Sequence, residues 1–216
     1  MGTTKPGSLF NRISFFYGLF YETQKRHFLR VLKRVGPEIG LEQYKTVLDV
    51  GCGTGALCAA LNQNGFLVTG IDPAEKMLAV GRAKKENSKV SFLVGDATQR
   101  LPFHDQTFDL SFASFVAHGM PAEQRKKMYA EMSRVTKHRV IIYDYNRNRA
   151  FWTSVIEWIE GGDYFHFIQH AQSELEDCRS QLEYCFSHVE VIQVDIRSAW
   201  YVCTPKQKGE TDSVLK

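Results

Sequence analysis

Three glycines at alternate positions close the run Val47-Leu-Asp-Val-Gly-Cys-Gly-Thr-Gly55, in which an apolar stretch leads into a loop. Glycine permits backbone angles and a close ligand approach that a Cβ would block. The segment that follows, Ala56 to Asn64, reads as a helix, and a helix N-terminus adds unpaired N–H donors and partial positive charge. Strand, glycine loop and helix in this order suit a nucleotide-like ligand. Gly51-Cys-Gly53-Thr-Gly-Ala56 fits the loose dinucleotide pattern, and Asp72 stands about 20 residues on, where a ribose-binding acid belongs. Asp49 argues for a different ligand. An anion two residues before the first glycine, in the mouth of the loop, would repel a pyrophosphate and suit an ammonium or sulfonium group. A plainer role for Asp49 is to accept hydrogen bonds from loop amides.

The elements that must position these residues alternate along the chain. Thr46–Val50 reads as a buried strand and Ala56–Asn64 as a helix stopped by Gly65. Leu67–Ile71 is a second strand. Pro73–Glu86 is a second helix, opened by a proline where one is welcome and by the capping-box pattern Asp72-Pro-Ala-Glu75. Val90–Val94, Phe108–Phe112 (extending toward Phe115) and Arg139–Tyr143 are further strands, with a helix at Pro121–Val135. Strands alternating with helices imply a mainly parallel sheet covered on both faces.

The two ends differ from this middle. Leu9 to Val35 is rich in aromatics and bases, with Phe16, Phe20, Phe28 and Leu32 at helical spacing, and Gly36-Pro37 ends it. Phe151–Glu160 and Ala171–Glu183 read as helices around an aromatic stretch. Val189–Ile196 and Ala199–Cys203 are joined too closely for a crossover helix, so they form an antiparallel pair at the sheet edge. The expected layout is one domain over 1–205: a helical cap at 1–44, a ligand-binding core at 45–146, a helical insertion or lid at 147–187 and C-terminal strands at 188–205. A flexible tail over 206–216 completes it.

The chain has 216 residues, a formal net charge of +3 and five cysteines without a C-x-x-C pair. Near-neutral charge argues against a dedicated nucleic-acid binder. The cysteine pattern supports neither a zinc site nor a thioredoxin-like centre, so no metal is expected, and it fits a reduced, cytoplasmic protein. No apolar run reaches the roughly 20 residues of a membrane helix, and the N-terminal aromatic stretch lacks a secretory pattern, so no stable membrane insertion is expected. Arg125-Lys-Lys127 reads as the solvated face of a helix.

Taken together, Asp49 to Gly55, Gly70-Ile-Asp-Pro-Ala-Glu-Lys-Met-Leu78, Gly95-Asp-Ala97 and Leu101-Pro-Phe-His-Asp-Gln-Thr-Phe-Asp-Leu110 resemble the class I S-adenosylmethionine-dependent methyltransferases. The likeness covers Thr46 to Tyr145. It is closest to the small-molecule members typified by ubiquinone/menaquinone-biosynthesis methyltransferases, whose start Phe10-Asn-Arg-Ile-Ser-Phe-Phe-Tyr17 also resembles more loosely. The resemblance implies a doubly wound, Rossmann-like, seven-stranded sheet, mainly parallel, with an antiparallel edge strand. It also implies S-adenosylmethionine as cofactor and S-adenosylhomocysteine as product. By the same match, Gly51, Gly53 and Gly55 approach the methionine part, with Asp49 near its ammonium, and Asp72 accepts the ribose hydroxyls. Asp96 and the Ala97 backbone read adenine, Pro73 and Met77 pack on its ring, and Ser114 lies at the cofactor. Gly95-Asp96 reads equally as a plain turn.

A sulfonium methyl is already activated, so its transfer needs chiefly a nucleophile held about 3–3.5 Å away. If a base takes part, His118, His166, Asp144 and Tyr17 are candidates, His118 first because it follows the fourth strand. Tyr17, Phe115 and His166 are candidate substrate contacts. No Asn-Pro-Pro or Asp-Pro-Pro follows that strand, where the family's amino-nitrogen methylators carry one; the positions read Ser111-Phe-Ala-Ser114. The expected acceptor is a small molecule, aromatic or apolar, walled by the N-terminal helix and the 147–187 insertion. Two other functions fit the residues: a regulatory protein that binds the cofactor without turnover, and an NAD-dependent oxidoreductase.

Overall fold

In the computed structural model, residues 8–145 and 181–206 are described, with side chains from Phe20 onward. A helix α1 (Ser8–Val35) precedes β1 (Thr46–Val50), α2 (Ala56–Gln63), β2 (Leu67–Asp72), α3 (Glu75–Arg82) and β3 (Ser91–Val94). Then come β4 (Phe108–Ser114), α4 (Ala122–Val135), β5 (Thr136–Tyr145), β6 (Phe186–Gln193) and β7 (Ser198–Pro205). The expected helices at Phe151–Glu160 and Ala171–Glu183 lie outside the described residues, save that 181–185 are helical.

The strand order is β3-β2-β1-β4-β5-β7-β6. β1 to β5 run parallel, and β7 runs antiparallel to both β5 and β6. From β1 the chain builds outward through β2 and β3, then returns to lay β4 on the other side. That reversal opens a crevice at the carboxyl ends of β1 and β4, where ligands of open α/β sheets bind. The register places Asp49 between Gly70 and Phe112, so the glycine loop leaves the sheet centre.

Both faces are covered. Val31, Leu32 and Val35 of α1 join Leu57 and Leu61 of α2 and Trp200 of β7 on one face. Met128, Met132 and Val135 of α4 pack with Leu48, Ile142 and Phe186 on the other. The central strands β1, β4 and β5 are accordingly buried runs over most of their length, while the edge strands β3 and β6 are more exposed.

The capping box did not form. Asp72 ends β2 rather than capping α3; Ala74 is the N-cap, without a side-chain bond, and Glu75 is the first helical residue. α3 is also shorter than expected, with a separate 3-10 turn at Lys85–Asn87. Asn87 is buried there and its side chain donates to the Gly81 carbonyl at 3.1 Å, sealing the helix end. Arg125 is 2% exposed and not on a solvated face. Its guanidinium donates to Gln181 Oε1 at 3.0 Å and to the carbonyls of Met120 at 3.0 Å and Ala117 at 3.5 Å. Local charge patterning could not reveal that these acceptors would surround it.

Candidate functional site

The loop after β1 is fixed by its own amides. Gly51 and Cys52 N–H both donate to the Ile71 carbonyl at 2.8 and 3.2 Å, and Gly55 N–H donates to Cys52 at 2.9 Å. Gly53 N–H goes to Asp72 Oδ2 at 2.9 Å, while Asp72 Oδ1 takes Ala74 N–H at 2.7 Å. Asp72 thus clasps the loop to the head of α3, and burial raises its carboxyl above the ordinary range.

The three glycines all have positive φ, between 53° and 75°, but for different company. A Cβ on Gly51 would stand 2.6 Å from Val116 Cγ2, and one on Gly55 would stand 2.6 Å from the Phe92 ring. At Gly53 the nearest atom is Met77 Cε at 3.4 Å, so that glycine alone faces room a ligand can use.

Asp49 lies under the loop rather than in its mouth. It is 1% exposed and accepts the Cys58 thiol at 3.1 Å through Oδ2. Burial, reinforced by the nearby Asp72, pushes its pKa from 3.8 up to about 7 against the Cys58 hydrogen bond. Cys58 itself is pushed well above its ordinary range by the same burial.

Across the crevice, β4 ends in Ser114, whose hydroxyl is buried without a hydrogen-bond partner. Phe115 follows with φ 57°, a conformation that costs a bulky residue energy and that its surroundings must impose. Its N–H donates to the Tyr143 carbonyl at 2.8 Å, and its ring lies 4.6 Å from Tyr143 and 5.0 Å from Tyr145. His118 sits in the next turn and pairs with Asp144 at 2.9 Å. Tyr143 in turn bonds His27 of α1 at 2.7 Å and stacks on it, which anchors α1 beside the strand ends.

Of the expected site residues, Asp49, Gly51, Gly53, Gly55, Asp72, Pro73 and Met77 gather around the first loop. Asp96 and Ala97 follow β3; Asp96 Oδ1 takes both Thr98 N–H at 2.8 Å and Thr98 Oγ1 at 2.7 Å, so the turn reading holds there. Ser114, Phe115 and His118 stand at the end of β4. Tyr17 belongs to α1, with its side chain outside the described residues, and His166 lies outside them altogether. Val116, Tyr145 and the pairing of Asp144 with His118 were not foreseen. Nothing local marks Val116, and Asp144 entered only as a separate base candidate because pairing depends on strand register.

Residues 47–139 match the family model of a methyltransferase domain. That match spans less than half of the chain and falls on the core of the sheet. Among curated relatives it is similar to the demethylmenaquinone methyltransferase of Staphylococcus aureus (strain MRSA252), 39% identical over 110 residues, 49% of this chain and 44% of that protein. The chain spans less than half the length of the curated relatives it matches. Two solved structures share the fold. The PH0226 protein from Pyrococcus horikoshii OT3 aligns with a TM-score of 0.65 at 24% identity, over 81% of this chain and 89% of that one. Magnesium protoporphyrin IX methyltransferase from Synechocystis PCC 6803, crystallised with SAH, aligns with a TM-score of 0.61 at 18% identity, over 95% and 90%. These likenesses show a shared Rossmann-like fold, a seven-stranded, mostly parallel sheet flanked by helices. Among the described residues, no helix is long and apolar enough to cross a membrane, and no cluster of three His, Cys, Asp or Glu side chains could hold a metal ion.

Proposed function

We propose that this protein transfers a methyl group from S-adenosylmethionine to a small-molecule acceptor. The observation that carries this reading is where the loop amides go. The N–H groups of Gly51, Cys52, Gly53 and Gly55 are all spent inside the protein, so the loop offers no row of donors to a pyrophosphate. Two carboxylates, Asp72 at the loop and Asp49 beneath it, instead favour a cation.

When bound, S-adenosylmethionine supplies a methyl group activated by a positive sulfur. Asp72 has acceptor capacity left for the ribose hydroxyls after its two amide bonds. The backbone at Gly53 would line the methionine part, and Asp49, buried beneath the loop, would favour its ammonium through space rather than by contact. Pro73 and Met77 flank the adenine ring, Asp96 and the Ala97 backbone meet its edge, and the unpartnered Ser114 hydroxyl takes a polar atom of the cofactor. Phe115 and Tyr145 form an apolar wall that excludes water from the acceptor side.

The test is incubation with methyl-labelled S-adenosylmethionine and fractionated metabolites of the source cell, with mass detection of product. A labelled small molecule appearing with S-adenosylhomocysteine supports the reading. Tight binding of NAD together with indifference to S-adenosylmethionine would overturn it, and cofactor binding without product in any fraction would leave a regulatory binder.

A further inference from the structure

Asp144, at the end of β5, accepts three hydrogen bonds. Oδ2 takes the N–H of His118 at 3.0 Å, Oδ1 takes the N–H of Tyr145 at 2.8 Å, and Oδ1 also lies 2.9 Å from His118 Nδ1. Its side chain is 8% exposed, so these donors rather than water surround it. A carboxylate has no hydrogen to give, so Nδ1 carries the proton and Nε2 keeps its lone pair. Among the described residues Nε2 makes no hydrogen bond, and 45% of the His118 side chain is open. Tyr145 meets the imidazole edge-on with ring centroids 4.8 Å apart. Two residues earlier in the same turn, Val116 stands against Gly51, where an added Cβ would lie 2.6 Å from its Cγ2. Arg125 holds the same turn through the Ala117 and Met120 carbonyls.

An amide could not replace Asp144. Both of its oxygens already face backbone N–H groups, so the –NH2 of an asparagine would confront a donor in either orientation.

We propose that His118 and Asp144 are a proton-accepting pair, with Asp144 the positioning residue, serving an acceptor whose nucleophilic atom carries a proton (an O–H or N–H on a flat apolar or aromatic body). This rests on the methyltransferase reading. As the acceptor atom bonds the methyl carbon, its proton passes to Nε2 of His118. The carbon–sulfur bond breaks and its electron pair stays on sulfur as a neutral sulfide. The resulting imidazolium is opposed by Asp144 and gives its proton to solvent through the open side of the ring.

Two measurements test the pair. Nitrogen-15 spectroscopy of the imidazole, in the neutral state, should show His118 protonated at Nδ1 in the wild type and this preference lost in Asp144→Asn. An Nε2-protonated ring in the wild type, or no change in the variant, overturns the pair without any reference to turnover. The labelled-cofactor assay is then run on wild type, His118→Gln and Asp144→Asn, with thermal melting to verify folding. Turnover should fall by about 10²–10⁴-fold in His118→Gln, while S-adenosylmethionine affinity by calorimetry stays within about threefold. Unchanged turnover in folded His118→Gln, or a product methylated at an atom that bore no proton, refutes the pair alone. No labelled product from the wild type refutes the methyltransferase reading and the pair with it.

Discussion

Replacing Asp49 by Asn should stabilise the ligand-free protein above neutral pH, and the gain should vanish in acid. Asp49 is 1% exposed, and burial moves its carboxyl from 3.8 to about 7. Between those two values the folded chain keeps a proton that the unfolded chain has released. The protonated carboxyl's contribution is therefore complete below about pH 3.8 and is lost as pH rises through about 7. A separation of about three pKa units, at ~1.4 kcal/mol each, sets a ceiling of ~4 kcal/mol on the penalty at pH 8. Asparagine has nearly the same shape, its carbonyl can still accept the Cys58 thiol, and it never ionises. Urea unfolding of both proteins at intervals from pH 4 to pH 9 measures the difference directly. Taking the difference cancels the shifted groups that do not feel Asp49, His27 among them. The advantage of Asp49→Asn should be near zero at pH 4, climb through pH 7 and level off at up to ~4 kcal/mol. A flat difference across pH, or a variant less stable at pH 8, would refute the reasoning. The same substitution should weaken S-adenosylmethionine binding in calorimetry, because the native acid holds a destabilising charge that a cation relieves.

Three further outcomes follow from the backbone and the buried arginine. Gly55→Ala should lower unfolding stability by at least ~1–2 kcal/mol, since φ is 75° and the Phe92 ring stands where the methyl would go; denaturant titration reads this. Phe115→Gly should be more stable than Phe115→Ala by ~1 kcal/mol in the same assay, because both lose the ring but only glycine is relieved of the cost of φ 57°. Arg125→Met should cost ~1–3 kcal/mol by stranding the Ala117 and Met120 carbonyls, and hydrogen exchange across 117–120 should quicken.

Much of this was written locally. Apolar runs bounded by glycine and proline placed β1 to β5 within a few residues, because strand and helix periods and turn chemistry are properties of short segments. The glycine loop and Asp72 were legible for the same reason: positive φ at Gly51, Gly53 and Gly55 is a local demand, and an acid ending β2 is a fixed distance from it. The pattern Asp72-Pro-Ala-Glu75 also fits a helix cap, and the pattern alone cannot show that Gly53 and Ala74 N–H groups take the two carboxylate oxygens.

The tertiary structure decided the rest. Asp49 reads as an anion in sequence, and only the helix packed over it, with Cys58 pointing down, makes it a buried acid with a pKa of about 7. Arg125 reads as a surface cation until the Ala117 and Met120 carbonyls and Gln181 close round it. His118 and Asp144 are 26 residues apart, and they meet because β4 lies beside β5 with Ser114 opposite Tyr143. Residue types and spacing determine which elements form and which chemistry is on offer. Burial, charge state and partnership depend on which strands become neighbours and in what register, and that is settled by contacts no single segment contains.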